Sequence, residues 1–221
     1  MTLIKKLLAL ILSVMSIHVG AQIKGASGHL IYCADGGITN FRPDALNNFL
    51  FSTGEKYENM ITYGGSVVET IGANAHSTFD ATTGFHLYRP QKLLSSYDSS
   101  YYMMRGWELM TSIYGYDVLK NANAVDLVIA PGVYWGSLKL RKYFNSGNPK
   151  QYELFKNPFV APMIRADLRF VLGPVCIGGR VSWRYDITNG RWRKGSSVSL
   201  PGYKARETQY VVFLGWVLNR K

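Results

Sequence analysis

The sequence predicts an all-β chain: a closed, antiparallel, up-and-down transmembrane β-barrel of about eight strands, with one short helix in its first long connection. Three observations lead there. Hydrophobicity alternates with period two along segments of about 9–15 residues. The connections between those segments alternate between long and short. One face of the segments is apolar and aromatic, the other small or charged. Composition agrees. The 221 residues include 22 Gly, 15 Tyr, 10 Phe and 5 Trp, and only 18% are charged. Disordered chains are poor in aromatics and rich in charge, so that class is excluded. The length suits one domain behind a targeting segment.

The targeting segment comes first. Lys5 and Lys6 form a short positive region, residues 7–17 are apolar except for Ser13 and Ser16, and Val19-Gly20-Ala21 precedes Gln22. This is the layout of a cleaved secretory signal peptide, too short and wrongly flanked for an anchor. Residues 1–21 are therefore set apart, and the mature domain is expected to be 22–221. Its formal charge falls from +11 to +9 with the loss of the two lysines. No later stretch approaches the roughly 20 apolar residues of a spanning helix. Cys33 and Cys176 lie far apart in predicted strand segments, outside any CxxC, and either two sequestered thiols or one disulfide fits an exported chain.

Eight strands follow in order: 26–34, 61–75, 81–89, 102–116, 124–137, 160–172, 175–187 and 208–218. The seventh is clearest. Val175, Ile177, Gly179, Val181, Trp183, Tyr185 and Ile187 alternate with Cys176, Gly178, Arg180, Ser182, Arg184 and Asp186. The sixth alternates likewise, with Ile164, Ala166, Leu168 and Phe170 against Arg165, Asp167 and Arg169, and Gly173-Pro174 joins the two as a tight hairpin. A tilted spanning strand needs about 9–11 residues, whereas soluble sheets centre on about 5–6. The connections are 35–60, 76–80, 90–101, 117–123, 138–157, 173–174 and 188–207, long and short by turns. Pro43 at a first-turn position, followed by Asp44, Ala45, Leu46, Phe49, Leu50 and Phe51, predicts the helix before Gly54.

Several short stretches carry a family likeness: Ala45-Leu46-Asn47-Asn48-Phe49-Leu50, Gly64-Gly65, Gly115-Tyr116 with Asn121, Asp126-Leu127 with Pro131-Gly132-Val133, and Arg184-Tyr185-Asp186 with Arg191-Trp192. Their layout resembles the small outer-membrane β-barrel proteins of Bacteroidota, over most of residues 40–218. The resemblance implies an eight- to ten-stranded barrel inserted in the outer membrane of a Gram-negative bacterium. It carries over no catalytic residues.

With the charged face inward, the lumen is expected to hold Glu108, Asp126, Arg165, Asp167, Arg169, Arg180 and Arg184. An Arg at mid-depth on the lipid face would cost about 2–4 kcal/mol. An eight-stranded interior is just wide enough for side chains to fill, so these charges must pair, and the barrel is plugged rather than porous. The outward face is expected to carry Trp107, Leu109, Ile113, Val133, Trp135, Phe170, Val181, Trp183 and Tyr185, with Trp and Tyr at the two interfacial belts.

Catalytic signals are weak. No HExxH, GxSxG, P-loop or paired CxxC occurs, and His29, His76 and His86 are scattered. His76 beside Ser77, with Asp80 near, could seed an enzyme acting on lipid, but it falls in a turn on the periplasmic side. The last long connection is basic, with Arg191, Arg193, Lys194, Lys204 and Arg206 around Trp192 and Tyr203. For an exported chain this suits anionic lipid or a surface polymer better than nucleic acid. The expected function is a non-enzymatic outer-membrane barrel, structural, adhesive or complex-anchoring through its outer loops. It needs no cofactor, its partner is membrane lipid, and its protein partner is unknown. A soluble periplasmic barrel holding an apolar ligand and a lipid-modifying barrel enzyme are the alternatives.

Overall fold

Long alternating segments in neighbouring register are what the backbone organises. The computed structural model describes residues 27–51, 56–74, 77–95, 99–119, 125–144, 152–194 and 200–220, so the expected export segment lies outside it. The elements are β1 (Ser27–Thr39), α1 (Asp44–Leu50), β2 (Met60–Asn74), β3 (Ser77–Leu94), β4 (Tyr101–Ser112), β5 (Tyr116–Asp117), β6 (Val125–Tyr143), β7 (Tyr152–Leu172), β8 (Val175–Tyr185), β9 (Arg193–Lys194) and β10 (Arg206–Arg220). β5 and β9 are two-residue additions beside β6 and β7. The other eight strands close on themselves, because β1 pairs with β2 on one side and β10 on the other, and β6 pairs with β7. Every pairing is antiparallel. Closure leaves no unpaired sheet edge, the condition for strands to cross a medium without water.

The strands run further than sequence periodicity suggests. β1 continues to Thr39, β3 spans Ser77–Leu94, and β10 begins at Arg206. The expected loop 138–157 is mostly strand: β6 and β7 stay in register from Val125↔Phe170 to Tyr143↔Tyr152. Beyond an apolar layer the outward face can be charged while the ladder still satisfies backbone groups, so alternation fades before pairing does. In the other direction, β4 ends at Ser112, and the connection 113–124 is longer than expected, whereas 95–100 is shorter. Long and short connections therefore alternate less strictly than the sequence suggests. The helix falls where expected, with Leu46, Asn47 and Leu50 buried.

Close approach of β2 and β3 depends on glycine at position 64, one of several wall glycines where an added β-carbon would meet neighbouring backbone. Gly64 stands opposite His86, and a β-carbon there would overlap the Phe85 carbonyl oxygen and lie 2.8 Å from the His86 Cα. Backbone cannot move aside as a side-chain tip can. Gly64→Ala should therefore destabilise the folded barrel by about 1–3 kcal/mol, read from a urea titration of its folded band.

Candidate functional site

Among the described residues, inward side chains pack the barrel in layers. At the end bearing the termini, Ile31, Cys33, Val68, Cys176, Phe213 and Val217 form a small apolar cluster, and both cysteines are buried free thiols. At the other end lies a larger apolar cap. Phe41, Leu46, Leu50, Phe51, Tyr57 and Met60 come from the first connection and its flanks, Tyr203 and Ala205 from the last. They pack with Tyr102, Met104, Leu138, Leu140, Phe155 and Phe159 of the wall. The Asn47 side chain fastens the cap: Tyr57 N donates to its Oδ1 at 2.9 Å, and its Nδ2 donates to the Tyr57 carbonyl at 3.2 Å. Burial pushes the Tyr57 phenol well above its ordinary range, and its hydroxyl has no hydrogen-bond partner among the described residues.

Between these apolar ends lies a charged layer with two nodes. In the first, Asp167 and Asp80 face Arg165, Arg169 and Arg180. Asp80 takes Arg165 Nη2 at 2.6 Å and Arg169 Nη1 at 2.5 Å. Asp167 takes Arg180 Nε and Arg169 Nη2, each at 3.0 Å, and a further bond from Arg165 Nη1. In the second, Arg184 lies between Glu108, at 2.5 Å, and Glu207. Tyr88 Oη donates to Glu108, Tyr203 Oη to Glu207, and Gln209 Nε2 to Glu108 at 2.7 Å. The Arg184 guanidinium also lies 5.0 Å from the Tyr134 ring centre and 5.5 Å from that of Phe159. Asp35 and His86 join the nodes. His86 Nε2 is 2.8 Å from Asp35 and its Nδ1 is 3.4 Å from Glu108, while Asp35 lies 3.7 Å from Arg180. Five carboxylates, four guanidiniums and one imidazole thus share one water-poor interior, all nearly or fully buried. Paired and hydrogen-bonded charges can be held there where isolated ones could not.

The lumen set expected from the sequence needs one correction. Glu108, Arg165, Asp167, Arg169, Arg180 and Arg184 are brought together, but Asp126 is not among them. It stands opposite Arg169 in the β6–β7 ladder, yet that guanidinium turns to Asp80 and Asp167, leaving Asp126 half-buried and without an ion pair among the described residues. Asp35, Asp80 and Glu207 take its expected part. All three fall in segments that periodicity reads as connections, and counting how much negative charge four inward arginines require is the signal that could have found them. His86, one of three histidines scattered over the expected mature domain, is part of the same layer. His76 lies outside the described residues, and of Ser77 only the backbone is described.

On the outer wall, Phe170, Trp183 and Tyr185 are exposed, while Trp107 and Trp135 are half-buried at outward positions, Trp107 stacked on Phe85 with ring centres 6.3 Å apart. Arg191 and Lys204 are exposed, and Arg193 with Lys194 forms β9 beside β7, the Lys194 side chain lying outside the described residues. Arg206 opens β10, where its guanidinium covers the Tyr185 ring at 4.4 Å and donates to its hydroxyl at 2.7 Å. Among the described residues no group of three or more His, Cys, Asp or Glu could hold a metal ion.

This architecture, a closed antiparallel barrel with a filled interior and an apolar outer wall, is the fold of small outer-membrane barrels. Among solved structures, a major outer membrane protein from Thermus thermophilus matches with TM-score 0.50 at 10% identity, over 87% of this chain and 99% of that one. Ail, the attachment invasion locus protein of Yersinia pestis, matches with TM-score 0.45 at 14% identity, over 89% and 100%. The N-terminal β-barrel domain of Pseudomonas aeruginosa OprF matches with TM-score 0.43 at 10% identity, over 87% and 99%. No protein-family profile and no curated protein matches the chain by sequence.

Proposed function

We propose that this chain is a non-enzymatic outer-membrane barrel, exported by cleavage after Ala21, with both termini in the periplasm and the capped end outside. Its role is structural or adhesive, exerted through the capped loop end rather than through a pore. One observation carries the reading: the distribution of polarity is inverted relative to a water-soluble protein. Arg165, Asp167, Arg169 and Arg184 are fully buried, whereas Val212 is 71% exposed, Leu214 58%, Ile164 57%, and Trp183 and Trp216 55% each. Water would penalise so continuous an apolar wall, and a bilayer requires it. Among the described residues the middle of the interior is taken up by buried charges rather than an apolar chamber, which counts against a soluble carrier.

The folded protein should run faster on gels before heating than after, and should float with phosphatidylcholine vesicles in a density gradient. Sedimentation as a soluble monomer without detergent would refute the membrane reading.

A further inference from the structure

Adjacent strands place four cations in a single cross-strand row on the outer wall. Arg105 of β4 is paired with Lys139 of β6, Lys139 with Lys156 of β7, and Lys156 with Arg193 of β9. Residues directly opposite in antiparallel ladders share a face, with Cα atoms about 4.5–5.5 Å apart. Like charges at that spacing oppose strand pairing. Among the described residues no carboxylate forms an ion pair with any of the four. Two residues further toward the loop end, Lys92 stands opposite Met103 and Met103 opposite Arg141, so positive charge continues outward. These two cations rest on rings, Lys92 at 4.2 Å from Tyr101 and Arg141 at 4.5 Å from Tyr152.

Depth selects the counter-ion. On β7 every outward residue from Leu172 to Pro158 is apolar, and Lys156 is the first charged outward position toward the loop end. At about 3.3 Å per residue and a tilt of about 40°, that stretch is long enough to cover the roughly 25 Å apolar band of an outer-membrane barrel. Lys156 lies two residues beyond it. Of the two tryptophans suited to an interfacial belt, Trp107 occupies the next outward position below Arg105, and Trp135 lies two outward positions below Lys139. The row thus stands at headgroup depth, between Trp107 and Trp135 below and the adjoining Tyr101, Tyr143 and Tyr152 rings above, and outside the charged lumen.

We propose that the row Arg105–Lys139–Lys156–Arg193 is a docking ridge for a phosphorylated lipid headgroup of the outer leaflet, the bisphosphorylated glucosamine disaccharide of lipid A. Two phosphates on a rigid sugar span neighbouring strands, and each phosphate is met by more than one cation, so the lipid supplies the negative charge that the ladder lacks. The proposal rests on the outer-membrane reading above.

The test uses the mature protein folded into phosphatidylcholine vesicles, with and without bisphosphorylated lipid A, and follows loss of the folded gel band on heating. Bisphosphorylated lipid A should raise the wild-type midpoint, and chemically dephosphorylated lipid A should not. The double variant Lys139→Gln/Lys156→Gln should reverse in sign. Without lipid A it should melt at or above the wild type, because the row's repulsion is relieved. With lipid A it should gain less than half of the wild-type increment, and native mass spectrometry should show about tenfold less lipid A retained. Arg191→Gln should behave as the wild type. Equal increments from the two lipid A forms, or a full increment in the double variant, would overturn the ridge. The same stabilisation by soluble inositol hexakisphosphate without lipid would overturn the lipid assignment. A wild-type chain that never enters vesicles would instead defeat the outer-membrane reading on which the ridge depends.

Discussion

Asp167→Asn is expected to destabilise the barrel by about 3–5 kcal/mol. Arg165, Arg169 and Arg180 all bond to this one carboxylate, and each is completely or almost completely buried. Asp80 would then be the one carboxylate left to Arg165 and Arg169, and Arg180 would keep only Asp35 at 3.7 Å, in an interior where water cannot screen them. The measurement is the urea midpoint at which the folded gel band disappears, taken in one detergent for all variants. Asp126→Asn is the comparator. It is half-buried and makes no ion pair among the described residues, so its shift should stay within about 1 kcal/mol. If the two substitutions moved the midpoint equally, the buried node would have no special energetic standing, and the interior would have to be wet.

Planar-bilayer recordings of the intact protein should show no steady conductance. An ion entering from the loop end meets the apolar cap first, then the Glu108–Arg184–Glu207 node, then the Asp80–Asp167 node with its three arginines. Each layer would stop it separately. Phe155→Ala separates them, because Phe155 is 2% exposed within the cap and touches neither node through an ion pair. Its loss should cost about 3–5 kcal/mol of stability, as truncation of a buried phenyl ring does. The variant should nevertheless remain electrically silent, since the charged layers below are intact. A long-lived open level in the wild type would contradict the filled lumen, and one appearing only in Phe155→Ala would place the seal in the cap alone.

Much of this molecule is decided locally and is therefore legible in its order of residues. Alternation such as Ile164-Arg165-Ala166-Asp167-Leu168-Arg169 assigns every side chain to one of two faces once the backbone is extended, because the period of a strand is two. That rule is enough for the number of wall strands, the Gly173–Pro174 hairpin, the inward arginines and the outward aromatics. The helix after Pro43 is equally local. What the sequence could not determine is which charges meet. Asp35, Asp80 and Glu207 lie on strands that continue past the point where alternation stops, and only the ladder registers bring them to Arg180, Arg165 and Arg184. Asp126 failed as a lumen partner for the complementary reason: parity aimed it inward, but its depth left it near the end of the barrel. The row of Arg105, Lys139, Lys156 and Arg193 is the same lesson on the outer wall. Those four residues span 89 positions of sequence and share no motif, and pairing between strands alone sets them side by side. Face is a property of a single strand, whereas partnership depends on register and depth, which arise only when the barrel closes.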